Sequence, residues 1–375
     1  MINKTKTTTL FIIRMAIVCF WFLGFILFLY GPAIIKFIMP RDRSINVYLI
    51  TSIINSNLFD EFERKTGIKV HVKYFEYNSA MQTQMRISGG SGYDVITPSD
   101  YTVDLLRKEN LLHQIDTSKL YNFNQLDFRL LNRDFDPNNK YSIPVCWSTY
   151  GIAYNKKWFK EFKKYPQGLD ALFEPDSVWK GPEWEKRKDL YRVCVMDDPR
   201  DMIFLASLYL YGLCKTFSKV RLEKIRKILV KQKQWIGGYA ESNLPYYLSG
   251  VYPVAFATAS LMIQMLKEDY DFGFVLPKEG SLITIENLAI PKNAEHVEEA
   301  HLLIDFLLSK QAQIDSFNEY GFTPSNKDVY SYLENICREN YAIFPDDSYF
   351  KKLHPIHSGL SVKDAHELWI DVKSR

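Results

Sequence analysis

Cysteine is scarce in this chain of 375 residues. The five cysteines lie far apart, and no two have the spacing of a CxxC metal or redox site. Their odd number and wide spacing argue against a disulfide framework, so buried free thiols are the simpler interpretation. These residues are Cys19, Cys146, Cys194, Cys214 and Cys337.

A large excess of charge of one sign is also lacking. Lys and Arg number 47 against 44 Asp and Glu, which gives a net charge of +3. This small and dispersed surplus argues against nucleic acid as a partner. With 47% hydrophobic and 24% charged residues, the composition is that of a folded protein long enough for two domains.

The common catalytic and phosphate-binding motifs are missing as well. The sequence contains no nucleophile elbow, no Walker lysine loop and no HExxH zinc motif. The glycine-rich run at 89–92 precedes a predicted strand and lacks the lysine, so we interpret it as a turn. His354 and His357 are separated by Pro355 and have no obvious third ligand. We therefore expect no enzyme activity, no metal and no cofactor.

One long apolar run is present, near the amino terminus. Residues 15–35 carry no charge and are long enough to cross a bilayer as a helix. Basic residues flank both ends, which leaves the orientation open. A small-x-small cleavage site is poor here. We expect residues 1–44 to form a short cytoplasmic segment and an uncleaved signal anchor, with the chain from about Ser44 outside the cytoplasm; a cleaved signal peptide is the alternative.

After residue 44 the sequence alternates between strand and helix patterns, which predicts a parallel α/β sheet. Ser99 and Tyr101 lie at one of the strand-to-helix turns, where they would face a crevice. The extended run at 141–154 is too long for one ordinary strand, and we predict that it passes from one lobe to another. The predicted strands are 45–51, 68–75, 93–96, 252–259, 270–276 and 284–290, and the predicted helices are 57–66, 79–88, 102–108, 215–233 and 295–317, the last of them capped by Asn293.

A turn rich in carboxylates follows the predicted buried strand at 190–195. Asp197, Asp198 and Asp201 lie within five residues, directly before a predicted helix. Pro199 suits the first helical position, which makes Asp198 the expected N-cap. One interpretation is that the aspartates only cap the helix and answer its dipole. The other is a cation-binding cluster, since ligands of open α/β sheets bind beyond the carboxyl ends of the strands.

Beyond residue 44, many short blocks resemble those of the solute-binding proteins of spermidine/putrescine ABC importers, in the same order and spacing. One block alone would be weak, but together they extend over about 330 residues. The blocks are 66–70 (TGIKV), 93–101 (YDVITPSDY), 135–144 (FDPNNKYSIP), 197–200 (DDPR), 277–280 (PKEG), 288–291 (LAIP) and 321–326 (GFTPSN).

The resemblance implies an α/β clam-shell fold, the two-lobed fold of periplasmic binding proteins, with strands crossing between the lobes and the ligand in the cleft. The first lobe is then expected at 45–150 plus 285–330. The second lobe is expected at 151–284 plus 331–375. Together with residues 1–44, this division accounts for the whole chain.

The resemblance also implies a set of ligand-binding residues. A polyamine carries ammonium groups joined by methylene chains, so carboxylates answer its charge and aromatic walls cover its methylenes. The family's acidic pair after the second-lobe strand corresponds to Asp198 and Asp201. Its acid before Leu-Ala-Ile-Pro corresponds to Glu286, which lies in an apolar strand where an unpaired carboxylate is costly to bury. Its Ser and Tyr of the first lobe correspond to Ser99 and Tyr101.

Several positions depart from the family pattern. The family's Trp-Thr-Glu-Tyr is replaced by 50–53 (ITSI), so that Thr51 and Ser52 remain as candidates while an acid and two aromatic residues are lost. Two pocket tryptophans correspond to Ala257, or the adjacent Phe256, and to Thr284. The pocket tyrosine of the late turn is Phe322. The expected ligand-binding residues are therefore Thr51, Ser52, Ser99, Tyr101, Asp198, Asp201, Glu286 and Phe322.

The function implied by the resemblance is that of the periplasmic solute-binding component of an ABC importer. We expect a monomer, held at the inner membrane by its amino-terminal helix, that binds putrescine or spermidine and delivers it to the permease. The lost aromatic residues leave two alternatives. The chain would then bind a different small cationic solute, or act as a sensor or interaction protein with a degenerate cleft.

Overall fold

The structure is a computed structural model that describes residues 43–214, 216–239, 252–267, 271–333, 340, 342–355 and 360–375, together with four isolated residues between positions 15 and 21. The predicted anchor at 15–35 lies, apart from those four residues, outside this described part. Within it, no helix combines the length and the apolar character needed to cross a membrane. The chain divides into two units, Met1–Ser44 and Ile45–Arg375.

Strands and helices alternate in the first part of the fold, as the sequence predicts. The described strands are β1 (Ser44–Ile50), β2 (Lys69–Phe75), β3 (Val95–Ile96), β4 (Ser142–Asn155), β5 (Val193–Val195), β6 (Ile236–Tyr239), β7 (Val254–Thr258), β8 (Phe272–Val275), β9 (Ser281–Ala289), β10 (Thr323–Pro324) and β11 (Leu353–His354). The described α-helices are Asn57–Thr66, Asn78–Ser88, Asp100–Lys108, Lys156–Phe159, Asp170–Phe173, Pro175–Val178, Pro182–Arg187, Pro199–Tyr211, Lys219–Gln232, Ala259–Lys267, Val297–Leu307, Lys310–Tyr320, Asp347–Phe350 and Val362–Ser374.

The strands form a curled sheet of mixed direction. Their order is β2-β1-β3-β9-β4-β7-β5-β6, with β8 and β10 paired to β4 and β11 paired to β9. The pairs β1–β3, β5–β6 and β5–β7 are parallel, and β9 is antiparallel to both β3 and β4. The parallel pairing of β1 with β3 confirms the predicted parallel α/β arrangement of this part of the chain.

The long strand β4 joins two groups of strands. Its first part, from Ser142 to Thr149, pairs with β9. Its last part, from Tyr150 to Asn155, pairs with β7 or β8. Gly151 lies just after this change of partners, where a Cβ atom would come within 2.6 Å of Cζ of Phe274 and 2.8 Å of the Val275 carbonyl oxygen. A side chain there would push the neighbouring strand away, so the close approach of β4 and β8 requires glycine.

The apolar side chains form separate clusters on the two sides of this change of partners. One cluster combines residues 45–146 with residues 288–312 of the chain. Another combines residues 150–256 with residues 282–372 and is rich in aromatic side chains. A third brings Tyr349 and Phe350 against Trp147 and Tyr48. Each cluster therefore draws on segments that are distant in sequence.

Two helix boundaries differ from the prediction for residues 295–317. The structure has two helices there, Val297–Leu307 and Lys310–Tyr320, because Ser309 has an extended backbone, with φ of –61° and ψ of 149°. Asn293 does not cap the first helix, whose N-cap position is His296. Its side-chain amide instead donates a hydrogen bond to the Gly89 carbonyl oxygen at 2.9 Å.

Candidate functional site

The helix Pro199–Tyr211 begins at the carboxylate-rich turn after β5. Asp198 is its N-cap, and Oδ1 of Asp198 accepts hydrogen bonds from the amides of Arg200 at 2.8 Å and Asp201 at 3.4 Å. The predicted capping role of Asp198 is confirmed. Because Pro199 fixes the first helical position, the side chains of Asp198 and Asp201 are both held at the start of this helix.

The guanidinium group of Arg200 forms an ion pair with Asp198. Nη2 of Arg200 donates to Oδ2 of Asp198 at 2.8 Å, and Nε donates to Oδ1 at 3.2 Å. Burial acts to raise the pKa of Asp198, but the hydrogen bonds and charge of Arg200 outweigh it and hold the pKa below its ordinary value. The same guanidinium lies over the ring of Tyr101, 4.7 Å from the centroid. Arg200 therefore links the predicted site residues Asp198 and Tyr101.

Asp197, the third carboxylate of the turn, faces a different set of groups. Its Oδ1 accepts from the indole Nε1 of Trp369 at 2.9 Å, and both oxygens accept from Nζ of Lys373 at 2.6 and 2.7 Å. Asp197 thus has surroundings different from those of Asp198. Within the part of the chain that the structure describes, no cluster of His, Cys, Asp or Glu is suited to a metal ion.

Asp201 is buried and lacks a hydrogen bond on one oxygen. Its residue is 3% exposed, and among the described residues no partner lies within reach of Oδ1. Burial raises the pKa of Asp201 well above its ordinary value, and the charges of Asp198 and Asp100 raise it further, while Arg200 lowers it. The side chain is thus an acceptor with unused capacity in a negatively charged environment.

Glu286 lies in the middle of β9, 6% exposed. The hydroxyl of Thr284 donates to its Oε1 at 3.0 Å, whereas Oε2 has no hydrogen-bond partner among the described residues. Burial raises the pKa of Glu286 to about 7, and the Thr284 hydrogen bond partly opposes this. A carboxyl group that is close to ionisation at neutral pH, with one open oxygen, is suited to accept a cation.

Asp100 is a buried acid beside the predicted site residues, and the sequence reasoning did not single it out. It begins the helix Asp100–Lys108 directly after Ser99, which forms an isolated antiparallel bridge with Glu286. Burial raises the pKa of Asp100 to about 8, and the charge of Glu286 contributes to the increase. The available signal was its place between two predicted site residues, Ser99 and Tyr101, although an acid in a first helical turn ordinarily needs no further explanation.

Tyr150 is the second residue that was missed. It is the first residue of β4 after the change of strand partners, and its ring stacks on Phe256 with the centroids 5.7 Å apart. Burial raises the pKa of Tyr150 well above its ordinary value, and the charges of Asp201, Asp198, Glu286 and Asp100 all add to this effect. Tyr150 therefore lies among the acids of both helix starts and of β9.

The remaining predicted site residues are Ser99, whose backbone bridges to Glu286, and Thr51, Ser52 and Phe322, which have no recorded contact with these acids in the described structure. The hydroxyl of Ser99 is 3.2 Å from that of Thr102. Thr51 and Ser52 are exposed in the turn after β1, and the described structure shows no hydrogen bond from either side chain to the acids. Phe322 is partly buried against the cluster that contains Cys146. The assignment of these residues to a ligand remains a prediction.

Comparisons with known proteins give the class of this fold and site. Residues 57–339 match the family described as bacterial extracellular solute-binding protein. Spermidine/putrescine-binding periplasmic protein 1 of Haemophilus influenzae is 30% identical over 315 residues, which cover 84% of each chain. A putrescine/cadaverine-binding protein of Pseudomonas aeruginosa is 27% identical over 323 residues, which cover 84% of this chain and 89% of that protein.

A solved structure gives the same result for the fold. The spermidine/putrescine ABC transporter substrate-binding protein PotD of Streptococcus pneumoniae is 24% identical and has a TM-score of 0.76, covering 88% of this chain and 99% of that chain. The fold is thus the mixed α/β fold of periplasmic binding proteins. The chain belongs to the bacterial extracellular solute-binding protein family, and it is a binding protein rather than an enzyme.

Proposed function

We propose that this protein is the extracytoplasmic solute-binding component of an ABC importer and that it binds a polyamine such as putrescine or spermidine. One observation carries the proposal. Asp201 and Glu286 each present a buried carboxyl oxygen without a hydrogen-bond partner among the described residues. Such groups are costly to bury unless a cation or a donor reaches them.

The chemistry of these oxygens restricts the cation. Primary and secondary ammonium groups carry N–H donors, which form strong charge-assisted hydrogen bonds with carboxylates. A quaternary ammonium group has no N–H and would leave the oxygens unsatisfied. The site therefore favours the amine ends of a polyamine, which agrees with the names of the relatives from Haemophilus influenzae and Pseudomonas aeruginosa.

The proposal includes a cleft between two lobes, 45–150 plus 285–330 and 151–284 plus 331–375. The change of partners along β4 supports it, as do the separate apolar clusters on either side. Tyr349 and Phe350 share an apolar cluster with Trp147, which favours assigning that part of the carboxy-terminal segment to the first lobe rather than the second. Lobe closure would bring Asp201 and Glu286 around the ligand, with Ser99, Tyr101, Thr51, Ser52 and Phe322 along the first-lobe wall.

We further propose that the protein acts as a monomer in the periplasm, held at the inner membrane by residues 1–44, and passes its ligand to a permease in that membrane. The uncharged run at 15–35 supports the anchor. Alkaline extraction of membranes, followed by measurement of the protein's molecular mass in the pellet and in the supernatant, tests the anchor. The mature protein should remain in the membrane pellet at full length, and a shortened soluble product would contradict the anchor.

A second candidate, a different small cationic solute, is favoured by the small side chains in the site. Ala257 pairs with Gly151 and Thr284 pairs with Ser148, so neither position offers an aromatic wall. Tyr150 and Phe256 are the aromatic pair that adjoins the acids. A panel of competing amines, guanidines and quaternary ammonium compounds distinguishes this candidate from a polyamine.

The experiment that tests the proposal is isothermal titration of the full-length protein, in mild detergent, with putrescine and then spermidine at low and physiological salt. We expect binding in the micromolar range and at least about tenfold weaker binding in an Asp201→Asn variant, because a hydrogen bond from the ammonium group to a charged acceptor is lost. Burial raises the pKa of Asp201, so the uncharged asparagine should not lower the stability of the folded protein. Asp116→Asn, at an exposed N-cap, is the matched control. No heat from the folded wild-type protein with either amine would refute polyamine binding.

A further inference from the structure

Contacts between the residues before Asp100 and strand β9 determine the position of Asp100. Ser99 bridges to Glu286, and the Asn287 amide donates to the Pro98 carbonyl oxygen at 3.0 Å. These contacts fix the start of the helix Asp100–Lys108 against the middle of β9. The carboxyl group of Asp100 is therefore held beside Glu286, and it is 3% exposed.

The two oxygens of Asp100 have different surroundings. Oδ1 accepts a hydrogen bond from the Tyr101 amide at 2.6 Å. Oδ2 is buried and has no partner of hydrogen-bonding geometry among the described residues, although the backbone amide of Ile285 lies near enough to lower the pKa of the carboxyl group. This buried oxygen is therefore an acceptor with unused capacity beside Glu286.

No cationic side chain forms an ion pair with the carboxyl group of Asp100 in the described structure. Asp198 is paired with Arg200, whereas Asp201 and Glu286 have one open oxygen each. The charge of Arg133 lowers the pKa of Asp100, but it is a smaller influence than burial and the backbone hydrogen bonds. No ion pair joins Arg133 and Asp100 in the described structure. The guanidinium of Arg133 instead donates to the Arg129 carbonyl oxygen at 3.3 Å and lies 6.0 Å from the Phe350 ring centroid.

We infer that Asp100 is an additional ligand-binding acid, which binds an N–H-bearing ammonium group together with Asp201 and Glu286. This inference rests on the proposed function, because it takes an amine as the ligand. Asp100 thereby supplies a negative charge that the turn of Thr51 and Ser52 does not. Specificity for an amine then depends on the start of the helix Asp100–Lys108 as well as on the turn before the helix Pro199–Tyr211.

Titration of the full-length protein with putrescine tests this inference. We expect Asp100→Asn to bind putrescine about 10- to 100-fold more weakly, since a hydrogen bond to a charged group is lost. Asparagine keeps an acceptor for the Tyr101 amide, so the melting temperature should not fall. Asp60→Asn changes an exposed acid in the first turn of another helix and should bind as the wild type does.

Proton release provides a readout that a purely structural role would not change. The raised pKa of Asp100 leaves it largely protonated at pH 7 in the free protein, and an ammonium ion would displace that proton. Titration in two buffers with different ionisation enthalpies measures the release. The groups that face Asp100 and also influence its charge are Glu286, Asp201 and Arg133. Asp100→Asn should release fewer protons than the wild type.

The outcomes separate this inference from the proposed function. If the wild type binds putrescine and Asp100→Asn matches it in both affinity and proton release, the role of Asp100 alone would be overturned. An equal loss of affinity in Asp60→Asn would also overturn it, because the effect would not belong to the cleft. A folded wild-type protein that binds neither putrescine nor spermidine would overturn both.

Discussion

Replacement of Glu286 by glutamine should flatten the pH dependence of stability between pH 5 and pH 7. Burial raises the pKa of Glu286 from its ordinary value of 4.5 to about 7. The folded protein therefore keeps a proton on this group that the unfolded chain loses. The resulting stabilisation is complete below about pH 4.5 and is lost as the pH rises through about 7.

The magnitude follows from these two values. One pKa unit corresponds to about 1.4 kcal/mol, and one proton titrates in this window. With folded and unfolded values of about 7 and 4.5, the contribution of Glu286 to the free energy of unfolding falls by about 2 kcal/mol between pH 5 and pH 7. Glutamine does not titrate, so the variant should lack this part of the slope.

Urea unfolding at pH 5, 6 and 7 measures the effect, with the free energy of unfolding obtained at each pH for the wild type and for Glu286→Gln. Glu76→Gln changes an exposed glutamate at the end of β2 and should keep the wild-type slope. Parallel profiles for the wild type and Glu286→Gln would refute the reasoning, because they would mean that Glu286 titrates in the folded protein as it does in the unfolded chain.

Two further changes test the surroundings of the site. Thr284→Val removes the hydroxyl that donates to Glu286, so the pKa of Glu286 should rise further and putrescine should bind more weakly at pH 7 but nearly normally at pH 8.5. An equal loss at both pH values in calorimetric titrations would contradict this. Lys373→Met breaks the partly exposed pair with Asp197 and should lower the free energy of unfolding by less than about 1 kcal/mol, without changing putrescine affinity. A loss of affinity in this variant would place Asp197 in the site.

Local sequence rules were sufficient where the cause of a feature is local. Gly67 ends the helix Asn57–Thr66 in the left-handed conformation, with φ of 70°, as its position predicts. The N-cap at Asp198 also depends only on neighbouring residues. The break before Lys310 was missed because the apolar pattern continues through it, and the serine at its start was the available signal.

The site itself required pairing over long distances in sequence. Asp100 looks like an ordinary acid in a first helical turn until its neighbour Ser99 is found bridged to Glu286. Tyr150 looks like one aromatic residue in an apolar strand until the change of partners along β4 places it among the acids. Neither relation is visible in the periodicity of a single segment. Arg200 was part of the quoted motif, but its contact with Tyr101 is likewise tertiary.

The cluster that combines residues 45–146 with 288–312 also has a consequence for synthesis. Ile45 and Ala312 belong to the same packed cluster, so this cluster cannot be completed until the ribosome has added most of the chain. A polypeptide of this kind exposes apolar segments throughout elongation, a period in which chaperones act on nascent chains.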